Sequence, residues 1–320
     1  MRDKLLKLLD DPSTEYVSGQ EISTKLGISR TAVWKHIEEL RKNGYQLEAV
    51  PRKGYKLTHT PNVASADEVK SRLNTTTIGK DIIFKKELPS TQKLAHDMAR
   101  NEAEEGTVIV ADQQLEGKGR LGRSWHSPAG TGLWFSIILR PDVPPHHAPQ
   151  LTLLTAVAAA EGIESATGVK AEIKWPNDIL FKGKKIAGIL TEMQSDPDKV
   201  QAVIVGIGMN VNQEKHQFPS ELSDKATSLA IEAGRTFHRA DVIAAILERY
   251  EYLYFYYLKE GFEGVRKRWE ALAVTIGKNI TARTVAKTFT GRAKGITDDG
   301  VLMLETASGR IEYIYSADIE

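Results

Sequence analysis

Cysteine is absent from the 320 residues. Its absence excludes disulfides, thiolate zinc sites and an enzyme-bound thioester. Long apolar runs are absent too. LTLLTAVAAAEGI at 151–163, the longest, contains threonines and falls short of the ~20 residues a bilayer span needs. MRDKLLKLLDD scatters charges through its only apolar stretch, so no signal peptide is expected and a cytoplasmic protein is. In that compartment the NTT sequon at Asn74 is a chance match. Net charge is almost absent, at +1. This excludes a grossly basic nucleic-acid coat protein but leaves room for a local basic patch. No G-x-x-x-x-G-K-[ST] occurs, so the Walker type of ATP site is missing. What remains is an ordinary globular composition, 41% hydrophobic and 27% charged, with length enough for two or three domains.

The first segment, 1–62, carries its own pattern. In VSGQEISTKLGISRTAVWKHIEELRKNGY, Ser18 with Glu21 three residues on reads as a capping box opening a short helix with Ile22 and Leu26 on one side. Gly27 breaks it. Ser29 caps a second helix whose apolar face is Val33, Ile37 and Leu40, and Gly44 closes that helix at the C′ position. Helix, glycine turn, helix is a helix-turn-helix. Arg30, Thr31, Trp34, Lys35 and His36 lie off the apolar face, where phosphates and base edges can be met. YQLEAVPRKGYKLTH then reads as a hairpin wing with Arg52 and Lys53 at its tip. Eleven Lys+Arg against eight Asp+Glu in 1–62 give this segment +3. Capping, turn, wing and cations agree on DNA binding; the blander reading is a small helical interaction domain.

TPNVASAD (60–67) reads as a linker. Helices are then predicted at Ser90–Arg100, Leu151–Thr167 and Arg239–Lys259, and strands at Thr107–Ala111, Leu133–Leu139, Ile186–Thr191 and Ala202–Ile207. The two kinds do not alternate strictly, which favours a mixed α+β sheet over a doubly wound one. YEYLYFYY (250–257) reads as a helix packed on that sheet rather than a stacking platform for bases. From about Leu272 short strands predominate, with hairpin turns at DDG (298–300) and SG (308–309), as in a small β-barrel.

GKGRLG at 117–122 satisfies G-x-G-x-x-G. A dinucleotide turn needs a helix opening on those glycines. Here RSWHSPAGTGLWFSIILR follows, with Pro128 and an alternating apolar pattern from Leu133 to Leu139, which is a strand. No helix dipole faces a pyrophosphate, and a nicotinamide site is set aside. The loop instead carries Lys118, Arg120 and Arg123 between Gln114 and Trp125. Its glycines bring backbone N–H groups close to a ligand, and its cations suit a phosphate gaining charge. Alone, it reads equally well as a solvated basic loop.

KWPNDILFKGKKIAGILTE (174–192) tips the balance. Pro176 stops a strand, Asn177-Asp178 reads as a polar turn, and Lys182-Gly183 as a hairpin. Lys184 and Lys185 lead into a buried strand, where a lysine needs an anion. Asp178 offers a hard oxygen of the type that holds Mg²⁺ between nucleotide phosphates. Asn210 ends the buried stretch AVIVGIGMN. The histidines, His146-His147 included, lack metal-ligand spacing and are expected in loops.

Together PSTQ (89–92), QLEGKGRLGRSW (114–125), KWPNDILFKGKKIAGIL and VGIGMNVN resemble the motifs of the biotin protein ligases. With the helix-turn-helix in front, the chain is similar to the bifunctional members, which also repress the biotin operon. The resemblance spans nearly the whole chain. It implies an α+β protein in three units: a winged helix-turn-helix at 1–62, a mixed-sheet α/β catalytic domain like the class II synthetases at 66–271, and an SH3-like β-barrel at 272–320.

The implied chemistry takes biotin and MgATP to biotinyl-5′-AMP, then passes biotin to a lysine of a biotin carboxyl carrier protein. By motif position Ser90, Thr91, Gln92, Gln114, Lys118, Gly119, Arg120, Trp125, Lys185 and Gly188 would bind biotin and its adenylate, with Lys185 and Arg120 catalytic. Arg123, Asn177, Asp178 and Asn210 would serve ATP, with Asp178 on Mg²⁺. Ser29, Arg30, Thr31, Trp34, Lys35, Arg52 and Lys53 would meet operator DNA, through a homodimer formed when the adenylate is bound. Lys118 stands where the family usually has arginine and Gln92 where asparagine is common. The competing reading is a metabolite-sensing transcription factor without ligase activity; a lipoate ligase with an added DNA-binding domain is a third.

Overall fold

The structure is a computed structural model that describes residues 1–195 and 200–320. It opens with α1 (Arg2–Leu9), a helix that the sequence reading passed over because charges surround its buried face of Leu5, Leu6 and Leu9. α2 (Gly19–Leu26) starts at Ser18, whose hydroxyl accepts from Glu21 N at 3.1 Å, and ends at a left-handed Gly27. The reciprocal half of the capping box is not formed. Glu21 turns instead to Lys25, one turn on, at 2.9 Å, an i,i+4 pair its charge favours. Ser29 caps α3 (Arg30–Lys42), whose Val33, Ile37 and Leu40 are buried. β1 (Gln46–Val50) and β2 (Gly54–His59) pair as the wing. These elements close on a small core of their own, running from Leu5 to Leu47.

α4 (Ala66–Arg72) leads into the central unit. There follow β3 (Ile82–Leu88), α5 (Thr91–Arg100), β4 (Val108–Gln114), β5 (Gly132–Leu139), α6 (Ala148–Thr167), β6 (Glu172–Lys174), β7 (Asp178–Phe181), β8 (Lys184–Ser195) and β9 (Val200–Asn210). α7 (Leu229–Ala233), α8 (Arg239–Glu260) and α9 (Glu263–Leu272) complete it. Among the described residues the sheet has seven strands in the order β3-β4-β5-β9-β8-β7-β6. Only β3 and β4 run parallel, so the sheet is mixed, as expected. Asp178 departs from expectation: it begins β7, paired with Gly188 of β8, rather than lying in a turn. The short β7 is paired on both sides, and pairing overrides the turn preference of Asn-Asp.

Helices cover both faces, which is why β5 is buried along its whole length. α6 and α8 pack on one face; α5 packs on the other against Ile109, Ala111, Trp134 and Ile138. α6 and α8 approach closely at Gly162, where a Cβ would stand 2.7 Å from Ile246 Cα. Tyr250, Tyr254 and Tyr257 of α8 are buried in this core, which accounts for most of the tyrosine-rich run. No helix among the described residues is long and apolar enough to cross a membrane.

β10 (Asn279–Arg283), β11 (Thr288–Ile296), β12 (Leu302–Thr306), β13 (Ile311–Ile314) and β14 (Asp318–Ile319) form an antiparallel sheet in the order β13-β12-β11-β10-β14. Its apolar face, with Ile280, Leu302 and Leu304, is continuous with the central core.

Candidate active site

Side chains alternate along a strand, so residues 204, 206, 208 and 210 of β9 share the α5 face of the sheet. Two of these are glycines, Gly206 and Gly208, and Gly208 pairs across β8 with Gly188. Three missing side chains clear a cavity of about 260 Å³ over the sheet. A Cβ at Gly206 would stand 2.5 Å from Gln92 Oε1, and one at Gly208 would overlap the indole of Trp125. The glycines therefore form a floor on which Gln92 and Trp125 rest.

A polar network lies at one end. Gln114 Oε1 accepts from Thr91 N at 2.8 Å and faces Thr91 Oγ1 at 3.1 Å, while Gln114 Nε2 donates to Ser127 at 3.1 Å. Ser136 Oγ lies 2.9 Å from Thr91 Oγ1 and 3.0 Å from Gln92 Oε1. Gln92 Nε2 is held by the carbonyls of Leu190 and Ile204. Buried polar groups so fixed can orient the head of a small ligand.

The glycine-rich loop closes the other end as a flap. It curls on itself through Gly119 N to Arg123 O at 2.7 Å and Trp125 N to Gly117 O at 2.8 Å. Arg120 donates to Asn177 Oδ1 at 3.0 Å and reaches Ser316 Oγ at 2.5 Å. Arg123 is ion-paired with Asp318 of β14. Burial pushes the Arg120 guanidinium below its ordinary value, against the pull of Asp318 and Asp178. The indole N–H of Trp125 is buried without a partner, a donor left for a ligand acceptor.

Lys185 projects from β8 with Nζ 2.6 Å from Asp178 Oδ1 and 5.1 Å from the Trp125 ring centroid. Its backbone is clamped by the segment beside it, Lys185 N to Lys225 O at 2.8 Å and Thr227 N to Lys185 O at 2.9 Å. Ser90, Thr91, Gln92, Gln114, Lys118, Gly119, Arg120, Arg123, Trp125, Asn177, Asp178, Lys185, Gly188 and Asn210 all line this one cavity. Asn210, however, spends both ends of its amide on the protein, donating to Thr227 O and accepting from Gln213. In this arrangement it braces the 225–227 segment.

The sequence reading missed Ser136, Phe218, Leu222, Lys225, Ala226 and Asp318, which also line the cavity. Ser136 hides in an apolar strand, and Asp318 arrives from the far end of the chain. The G-x-G spacing of Gly206 and Gly208 was the available signal for the floor. Lys118, Arg120, Arg123, Lys185 and Lys225 face the cavity against Asp178 and Asp318, five cations to two carboxylates, a surplus of three. Such a focus favours a polyanionic ligand.

His146 and His147 sit in a 3-10 turn, off the cavity, yet Asp299 brings a third possible ligand atom within 4.8 Å of theirs. Spacing could not foresee that partner. Ser29, Arg30, Thr31, Trp34, Lys35, Arg52 and Lys53 are exposed together on the winged helix, clear of the cavity.

Three family models match the chain: an HTH domain at 2–56, the biotin/lipoate A/B protein ligase family at 84–210 and the biotin protein ligase C-terminal domain at 275–320. The bifunctional ligase/repressor BirA of Bacillus subtilis is 54% identical over all of this chain and 98% of its own length. That of Bacillus spizizenii is 53% identical with the same coverage. Among solved structures, a biotin protein ligase from Aquifex aeolicus in complex with biotin and ATP is similar at TM-score 0.65 and 32% identity, over 75% of this chain and 98% of that one.

Proposed function

The chain belongs to the bifunctional ligase/repressor family, and from that premise we propose that it attaches biotin to a carrier-protein lysine and represses the biotin operon through its winged helix. In the first half-reaction a biotin carboxylate oxygen attacks the α-phosphorus of ATP. The bond from that phosphorus to the bridging oxygen breaks, pyrophosphate leaves, and biotinyl-5′-AMP remains. In the second, the lysine ε-amine attacks the acyl carbon, the acyl C–O bond breaks, and AMP departs as the amine gives up a proton to solvent. No enzyme-bound acyl group is needed, in keeping with a chain that has no cysteine.

The cation surplus carries this reading. A carboxylate attacking a polyphosphate brings like charges together, and Lys185, Arg120, Lys118 and Arg123 would offset that repulsion where it grows. Lys185 would sit at the carboxylate and the oxygen it shares with phosphorus, oriented by Asp178. Thr91, Gln92 and Gln114, with Ser90 beside them, would hold the biotin head group. Trp125 would stack on the adenylate, and Gly119 and Gly188 would let it approach the backbone. Magnesium would enter with ATP. Lys185 takes one oxygen of Asp178, and the other fits an ion that asks for one or two carboxylates beside the substrate's phosphates; when bound it would neutralise phosphate charge.

Three working units follow, at 1–62, 66–271 and 272–320. Arg30, Thr31, Trp34 and Lys35 would enter a groove of operator DNA, and Arg52 and Lys53 would touch its backbone. The flap, ordered by the adenylate, would pair with its twin in a cytoplasmic homodimer, placing two recognition helices on a palindromic site. The deciding experiment is ATP-dependent transfer of labelled biotin to a purified carrier protein, with pyrophosphate exchange read separately. Exchange without transfer would confine the protein to adenylate formation, and neither would leave only a sensor.

A further inference from the structure

The linker that carries the winged helix meets the central unit at Asn62, itself exposed, whose polar groups turn onto the buried Arg239 and its neighbour Phe237. Asn62 donates through Nδ2 to Phe237 O at 2.7 Å, and its Oδ1 accepts from Arg239 N at 2.9 Å. The Asn62 carbonyl accepts from Arg239 Nε at 3.2 Å and Nη2 at 2.5 Å. The same guanidinium, 2% exposed, continues to Asp112 Oδ1 at 2.9 Å and Gly132 O at 3.1 Å. Asp112 and Gly132 are the two roots of the flap. β4 ends at Gln114, two residues beyond Asp112, and β5 begins at Gly132. Asp112 Oδ1 also accepts from Gly130 N at 3.3 Å.

We propose that Arg239 couples the ligand cavity to the DNA-binding domain, by making the flap roots and the linker move as one body; this rests on the ligase/repressor reading. A buried ion pair cannot part without stranding a charge, so Arg239 follows Asp112. Asn62 must then follow Arg239, because the arginine fork holds its carbonyl twice. A ligand that orders the flap fixes the spacing of its roots and, through this fork, the attitude of the linker. Such coupling is reciprocal: DNA must tighten ligand binding by the factor by which ligand tightens DNA binding.

The test uses the full chain and a duplex selected from random sequence by the wild-type protein with biotin and ATP present. Arg239→Lys keeps the charge opposite Asp112 but loses the fork; Asn62→Ala trims only the linker side. The ratio of DNA affinities with and without biotin and ATP is expected to lie at roughly 5- to 150-fold in the wild type, to fall most in Arg239→Lys and to fall by less in Asn62→Ala, which keeps the carbonyl that the fork holds. Carrier biotinylation by Asn62→Ala should meanwhile stay within about threefold of wild type, well inside that coupling range. A ratio unchanged in both variants overturns the coupling and leaves the ligase/repressor reading standing. A ratio that falls only in step with biotinylation makes these residues supports of the cavity and overturns it as well. A wild-type ratio of one overturns the coupling together with the repressor half of the reading, while biotin transfer still tests the ligase half.

Discussion

Lys185 Nζ stands 2.6 Å from Asp178 Oδ1, and Arg120 opens onto the same cavity from the flap. The two cations come from different elements around one ligand space, a β-strand of the sheet and the glycine-rich loop that meets Asn177 beside it. Lys185 is the better placed for the reacting centre, because its strand backbone is held by residues 225–227 beside it while Arg120 reaches in from a loop. Lys185→Ala should cost about 2.7–4 kcal/mol of transition-state stabilisation, as loss of one preorganised donor does. Pyrophosphate exchange checks it, and a wild-type rate would remove Lys185 from the chemistry.

Arg120 bridges the flap to Asn177 and to Ser316 in the C-terminal unit. Its replacement by glycine leaves the flap without that bolt. Arg120→Gly is expected to release activated biotin and label lysines of bystander proteins. Labelling confined to the carrier would show that retention lies elsewhere.

The neighbouring contact separates flap closure from stability. Arg123 and Asp318 are 65% and 34% exposed, and such a pair contributes only about 0–1 kcal/mol. Asp318→Asn should therefore barely move the unfolding midpoint. Hydrogen exchange over residues 117–125 should nevertheless quicken, because the flap loses one of its anchors. Unchanged exchange would mean that Arg120 alone holds it.

Much of this architecture could be read from residue pattern, and the exceptions have physical causes. Ser29, Gly27 and Gly44 announce α3 because caps and left-handed turns depend on the residue itself. The glycine-rich loop and K-W-P-N-D stretch were legible because their residue types are unusual together. α1 was not, since its apolar stripe is interrupted by charges at every turn. β7 was hidden because its pairing, not its Asn-Asp start, decides its shape. Asp318 and Lys225 were invisible for a third reason: nothing local marks a residue whose role comes from meeting the flap in space.

Gly208 tests the floor. A methyl group there would occupy the place of the Trp125 indole. Overpacking costs about 1–3 kcal/mol, and here the flap can yield where the sheet cannot. Gly208→Ala should keep its fold and lose roughly 5- to 150-fold in biotin affinity if ligand binding bears that whole cost. Calorimetric titration with biotin measures it. Wild-type affinity would mean that the position of the Trp125 indole does not matter for binding biotin itself.

His238, at the junction of linker and α8, gives a pH test of the same region. Its Nε2 lies 3.1 Å from the Pro61 carbonyl, which accepts, so Nε2 carries the proton of the neutral ring. Nδ1 is buried without a partner. Charging the ring would bury a cation there, beside Arg72 and Arg239 and with Asp241 and Glu68 as the opposing charges. Burial first, and then Arg72, hold its pKa below the ordinary 6.5. The folded protein thus binds fewer protons than the unfolded chain in the interval between the two values, and stability rises with pH across it. The contribution is complete above the unfolded value of 6.5 and is lost as pH falls below it toward the folded value. Urea midpoints of wild type should drop between pH 7.5 and 5.5 by more than those of His238→Gln, which has no proton to gain, across that window of roughly one unit either side of the ordinary value. Equal drops in the two proteins would place the acid sensitivity at other groups and mean that His238 takes up its proton as readily in the folded protein as in the unfolded chain.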